Sequence, residues 1–78
     1  MKIRRGKFII NKNLLENHKG DVLKIMSKCI ITRAEYLYYS DGIEYYAESE
    51  LFDFVDQGEI IPEYKFTIDG DNVFCEKY

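Results

Sequence analysis

Two runs rich in β-branched and aromatic residues, IITRAEYLYY (residues 30–39) and IEYYAESE (residues 43–50), are separated only by Ser40-Asp41-Gly42. Such residues suit a pleated, half-buried surface. Asp-Gly between two of these runs is the strongest short-range signal for a β-hairpin. With Asp41-Gly42 as a two-residue loop, the expected register pairs Ser40 with Ile43, Tyr38 with Tyr45, Tyr36 with Ala47 and Ala34 with Ser49. The other face pairs Tyr39 with Glu44, Leu37 with Tyr46, Glu35 with Glu48 and Arg33 with Glu50. The first face, with Thr32, Ala34, Tyr36, Tyr38, Tyr45 and Ala47, is apolar enough to pack on a helix. The second carries Glu35, Glu44, Glu48 and Glu50, interrupted by Leu37, Tyr39 and Tyr46. A slip of one residue exchanges the two faces.

The hairpin needs other elements to cover it. Lys7–Ile10 reads as a short strand, and Asn11 or Asn13 as the N-cap of a helix. Leu15, Val22, Met26 and Cys29 follow at spacings that place them on one helical face. Gly20-Asp21 falls inside this run and is expected to divide it, with Asp21 capping a second short helix. A hairpin through residues 18–21 competes with that reading, and the helix is preferred. SELFDFVDQGEIIPEY, residues 49–64, is expected to form one helical turn or a compact loop stopped by Gly58. Pro62 keeps its neighbourhood out of a central strand. Glu63 then opens a strand whose Tyr64, Phe66 and Ile68 share one face, and DGDN (residues 69–72) is turn chemistry. VFCEKY closes the chain as an edge strand. The predicted architecture is α+β: an antiparallel sheet of four or five strands with an N-terminal helix packed on one face.

Charge is divided sharply along the chain. Residues 1–33 hold nine basic and two acidic side chains, a balance of +7. Residues 34–78 hold two basic and twelve acidic ones, a balance of −10, which gives the net −3. Two opposed expectations follow. Folding interleaves the halves and neutralises them, or it leaves one acidic face that attracts basic partners. Basic half against acidic half is also a route to a homodimer or larger homo-oligomer. At 78 residues, 46% hydrophobic and 32% charged, the chain suits one small folded domain.

Little of the sequence points to chemistry. His18 is the only histidine and stands in a polar stretch. No Ser or Cys has a base near it in sequence, no glycine-rich phosphate loop occurs, and the calcium-loop frame is not completed after DGDN. Cys29 and Cys75 lack paired metal-ligand spacing and are expected as reduced, mostly buried thiols. Glu35 opposite Glu48 is the one tension in the predicted register, because like charges across a strand pair are destabilising. Phe8–Ile10 is too short an apolar run for a signal peptide, and no stretch approaches a membrane span, so a cytoplasmic protein is expected. The expectation is a non-enzymatic chain with no cofactor and no metal.

The stretch IEYYAESELFDFVDQGEIIPEYKFTI, about a third of the chain, together with its size and composition, resembles small accessory proteins of phages and mobile elements of AT-rich bacteria. That resemblance implies a host-takeover or anti-defence role through protein binding, as with anti-CRISPR-type inhibitors, and transfers no residue role. The leading expectation is an inhibitor or modulator that meets a basic, nucleic-acid-binding host protein through Glu44, Tyr46, Glu48 and Glu50, extended by Asp53 and Asp56. Carboxylates in a row, about 6.6–6.8 Å apart along a strand, can occupy a groove built for phosphates. The alternative is a small nucleic-acid or nucleotide binder whose basic N-terminal arm, Arg4, Arg5, Lys7 and Lys12, contacts phosphate.

Overall fold

The N-terminal basic stretch is the centre of the sheet. In the computed structural model, which describes residues 2–39 and 41–78, the chain runs β1 (Lys2–Asn11), α1 (Lys12–Asn17), α2 (Lys19–Met26), β2 (Ile30–Leu37), β3 (Gly42–Glu48), β4 (Phe54–Asp56), β5 (Tyr64–Asp69) and β6 (Asn72–Lys77). Four strands form one sheet in the order β2-β3-β1-β4, and β5 and β6 form a separate hairpin. β1 therefore has neighbours on both sides, pairing antiparallel with β3 over Arg5–Asn11 and with β4 over Lys2–Arg4. Arg4, Arg5 and Lys7, expected in a basic N-terminal arm, thus belong to a strand paired on both sides. The strand is legible only by alternation. Gly6, Phe8 and Ile10 are buried on one face, and Arg5, Lys7 and Ile9 carry the other. A glycine at the first of the buried positions hides the apolar pattern.

Gly6 is there because of what packs on it. The Tyr64 ring stacks on Phe52 at 4.5 Å between centroids. A Cβ on Gly6 would meet Tyr64 at 2.6 Å and Phe52 at 3.1 Å. Phe8 lies in the same cluster, edge-on to Phe66 at 4.9 Å and stacked with Tyr45 at 5.6 Å. The core joins Phe8, Ile10 and Ala47 of the sheet with Val22 and Ile25 of α2, Phe52 and Tyr64. Leu14, Leu15, Met26, Phe66, Ile68, Val73 and Cys75 pack around them. The helices and the β5–β6 hairpin thus cover one face of the sheet, and the domain is α+β, as the sequence predicts.

The helical reading from Leu14 onward holds as far as Met26, with the division moved, but Cys29, read onto the same helical face, lies beyond the end of α2. The Asn11 side chain accepts a hydrogen bond from the Leu14 N–H at 2.8 Å and caps α1. The break falls at His18 (φ −133°), not at Gly20-Asp21. Asp21 sits in the first turn of α2, where the helix dipole favours a carboxylate. Residues 50–53 are a compact turn, and the strand β4 follows it where the sequence predicts only a turn or loop. Tyr64, Phe66 and Ile68 share the inward face of β5, and Gly70 takes φ +62° in the β5–β6 turn.

The β2–β3 hairpin forms with a longer connection than expected. Tyr36 pairs with Ile43 and Leu37 with Gly42, leaving residues 38–41 as the link. The expected Ser40–Ile43 pair involves Ser40, which lies outside the described residues. Two things displace the two-residue loop. Gly42 lies between Leu37 and Asn11 in three adjacent strands, where a Cβ would stand 2.9 Å from the Ile10 carbonyl oxygen. Gly42 is therefore used for close approach within the sheet, and Asp41 takes the left-handed backbone (φ 50°) that the turn requires. The displacement is an even number of residues. Tyr45 and Ala47 stay on the core face, and Glu35, Glu44, Tyr46 and Glu48 stay together on the other. Thr32 bulges out of β2 where the register shifts between Ile31 and Arg33.

Candidate interaction surface

The sheet face opposite the core carries most of the residues singled out in the sequence. On β3 it presents Glu44, Tyr46 and Glu48, all half-buried. Register places Arg5 opposite Glu48, Lys7 opposite Tyr46 and Ile9 opposite Glu44 on the β1 side. On the β2 side, Ile30 faces Glu48, Arg33 faces Tyr46 and Glu35 faces Glu44. The expected pairs of Glu35 with Glu48 and of Arg33 with Glu50 are thus replaced by Glu35 with Glu44 and Arg33 with Tyr46. Here the two halves of the chain interleave. Three cations of residues 1–33 lie among three carboxylates of residues 34–78.

Compensation on this face is uneven. Arg33 donates to Glu35 at 3.1 Å, and its guanidinium lies 5.4 Å from the centre of the Tyr46 ring. Glu48 has Arg5 across from it. Glu44 has Ile9 on one side and the carboxylate of Glu35 on the other. Hydrogen bonding to the Glu44 carboxylate pushes the Tyr46 phenol above its ordinary pKa, with burial and the charges of Glu44 and Glu35 adding to the rise and Arg33 opposing it. Ile3, Arg5, Thr32, Tyr46, Glu48 and Ile61 line a shallow cavity of about 260 Å³ on this side of the sheet. Tyr46 and Glu48 thus border a concavity.

The other predicted acids stand elsewhere. Glu50 is exposed in the turn after β3, and its carbonyl oxygen accepts from Arg4 Nη1 at 3.0 Å. Asp53 is ion-paired with Lys77, and its backbone N–H donates to the Tyr64 hydroxyl at 2.9 Å. That pairing raises the Lys77 pKa. Burial and the neighbouring Glu59 carboxylate raise that of Asp56, whose N–H donates to Glu59 Oε1 at 2.8 Å. The six residues therefore divide into a coherent group on β3 and a second group around β4. The four residues of the basic alternative divide as well. Arg5 and Lys7 share the open face. Arg4 belongs to the opposite face of β1, its guanidinium 4.4 Å from the Phe54 ring centre, and Lys12 stands in α1, 4.0 Å from Glu16.

Exposed aromatic area is concentrated where the sequence led least directly. Tyr38 and Tyr39, in the β2–β3 connection, are 89% and 87% exposed, and Tyr36 packs edge-on to Tyr38 at 5.1 Å. The signal was the tyrosine run itself, but the assumed short loop drew Tyr38 into the core. Among the described residues, no helix is long and apolar enough to cross a membrane. Fold and surface together define a small α+β domain with one sheet face covered and the other open. No protein-family model matches the chain, no curated protein matches it in sequence, and no solved structure matches it in fold.

Proposed function

We propose that the chain is a non-catalytic protein-interaction module that docks a basic partner on the open sheet face, with Tyr46 as the central contact and Glu44 as the principal charge. The observation that carries this reading is the opposition of Glu44 and Glu35 across β3 and β2. Like charges directly opposed weaken a strand pair, and the carboxylate that Arg33 pairs with is that of Glu35. A lysine or arginine from a partner, placed over Glu44, supplies the missing cation. Tyr46 beside it offers contact area with little entropy to lose, as aromatic anchors at interfaces do. A nucleic-acid-binding protein fits this description, because its phosphate groove is lined by such cations. Inhibition of a host protein of that kind, by a chain of phage type, is the biological form the reading takes.

The test is capture from a nuclease-treated bacterial lysate with the wild-type chain and Glu44→Lys in parallel, eluted in steps of salt. A stoichiometric basic protein that elutes at moderate salt from the wild type, and is lost from the variant, supports the proposal. Recovery of nucleic acid instead, lost on neutralising Arg5 and Lys7, replaces it with the nucleic-acid reading.

A further inference from the structure

We propose that β2 is a self-association edge, at which two copies of the chain pair antiparallel about a two-fold axis through Ala34, so that Arg33 of each copy meets Glu35 of the other. The pairing uses the free backbone edge of β2, not the docking of a partner on the open face; the two share Arg33 and Glu35, but the edge pairing does not rest on the proposed function.

The sheet has two unlike ends. At one, β4 is only three residues long, and beyond it Lys7 of β1 donates to the Pro62 carbonyl at 3.0 Å, so that margin is short and partly covered. At the other, β2 runs for eight residues with β3 on one side only. Among the described residues, no backbone hydrogen bond from a turn, loop or cap reaches Ile30–Leu37. The strand contains neither proline nor lysine. An edge of this kind presents unpaired N–H and C=O groups and is a template for another strand. Two of its large side chains are also in solvent, Ile30 at 70% and Tyr36 at 54% exposure, while Leu37 at its end is buried.

The charges on the edge select the occupant and the register. A two-fold axis perpendicular to the sheet keeps the helices of both copies on one side of a continuous sheet. It also requires residues of the same face to be opposed. Arg33 and Glu35 share the open face and flank Ala34, already 3.1 Å apart within the strand. With Arg33 at the axis the two guanidinium groups oppose each other, and with Glu35 there the two carboxylates do. With Ala34 at the axis, Arg33 meets Glu35 twice, once on each side. Opposite charges directly across a strand pair stabilise it, and like charges weaken it. The pattern Arg-Ala-Glu is thus complementary to itself read backwards. The axis at Ala34 lies in Arg33–Leu37, the regular part of the strand beyond the Thr32 bulge. Antiparallel direction then carries Ile30 and Ile31 of one copy alongside Tyr36 and Tyr38 of the other, an aromatic and β-branched combination that favours pairing.

The experiment is sedimentation velocity over a range of concentrations on the wild type, Arg33→Glu, Glu35→Arg and the double exchange. The wild type is expected to form a dimer. Each single variant should raise its dissociation constant at least about tenfold, because two attractive pairs become two repulsive ones. The double exchange should restore association to within about threefold. A wild type that stays monomeric to millimolar concentration overturns the proposal, as do single variants that associate like the wild type or a double exchange that restores nothing. Ala34→Cys gives an independent measurement should a charge variant fail to fold. Opposed Cα atoms about 4.5–5.5 Å apart suit a disulfide. Oxidation with copper-phenanthroline should therefore link two copies of Ala34→Cys and not two copies of the parent chain with Cys29 and Cys75. Absence of that link overturns the pairing at Ala34.

Discussion

The Tyr64 ring occupies the space where a side chain on Gly6 would begin, with Cδ2 and Cε2 both 2.6 Å from an ideal Cβ. The phenol is held from its other end as well, since its hydroxyl accepts the Asp53 N–H at 2.9 Å. Neither partner has room to yield, because Phe52 stacks on the same ring. Gly6→Ala is therefore expected to destabilise the fold by about 1–3 kcal/mol, the range for overpacking a filled core. Urea unfolding followed by tyrosine fluorescence measures it. An unchanged midpoint would show that β1 and β5 separate easily at this point.

Deletion of residues 2–6 should abolish folding, not merely remove a charged tail. These residues form half of β1, and with them go the whole β1–β4 ladder, the Arg5–Glu48 and Gly6–Ala47 pairs and the bond from the Ser49 N–H to the Arg4 carbonyl. Circular dichroism of the truncated chain is expected to show no cooperative thermal transition. Retention of one would mean that β3, β2 and the helices hold the core without the central strand. For the same reason, any binding role of Arg5 and Lys7 is to be examined by neutralising their charges and not by truncation.

What could be read in the sequence, and what could not, follows from the range of the interactions involved. The Asp41-Gly42 signal located the hairpin, and period-two alternation placed Tyr45 and Ala47 inward and Glu44 and Glu48 outward. These are local features. The register was set by something distant, the close approach of Gly42 to the Ile10 carbonyl, and so the glycine read as a turn residue is a strand residue. β1 is legible only at Lys7–Ile10, because Arg4, Arg5 and Gly6 carry no apolar signal and their pairing partners lie more than 40 residues away. β4 is not legible because three residues, Phe54-Val55-Asp56, are too few to show a period. For the candidate site, Glu44, Tyr46 and Glu48 were legible as a row on one strand. The cations opposite two of them were not, since those come from β1 and β2.

That unevenness distinguishes Glu44 from Glu48 in binding. Both project from β3 on the open face, but Arg5 lies opposite Glu48 and Glu35 lies opposite Glu44. Glu44→Lys replaces an opposed pair of like charges with an attractive pair. It should leave the fold as stable as the wild type, or slightly more so, while weakening capture of a basic partner by about tenfold or more. Glu48→Lys opposes a lysine to Arg5, and is expected to lower stability by a few tenths of a kcal/mol while affecting binding less. Thermal melts set beside titration of the captured partner test the pair of outcomes. Equal losses of binding at both positions would remove Glu44 from its principal role.

The two thiols give the fold a sensitivity to alkali. Burial, with smaller contributions from Cys29 and Asp53, pushes the Cys75 thiol up to about 11 from 9.0, and burial raises Cys29 as well, opposed by its hydrogen bond with Ser49. An acid whose folded pKa is raised keeps its proton in the native state while the unfolded chain has lost it. Between pH 9 and 11 the unfolded state therefore binds fewer protons at Cys75, and stability falls as pH rises through that window. Below pH 9 the thiol is protonated in both states and contributes no slope. Cys75→Ala loses packing at every pH, but its stability should decline less steeply than the wild type's from pH 9 to 11, which urea titrations at a series of pH values will resolve. Native Cys75 should also react slowly with iodoacetamide at pH 8 and rapidly once urea unfolds the chain, because the reactive species is the thiolate and the fold withholds it. Parallel slopes for the two chains, together with rapid alkylation of the native protein, would place the Cys75 thiol in solvent instead of against the core.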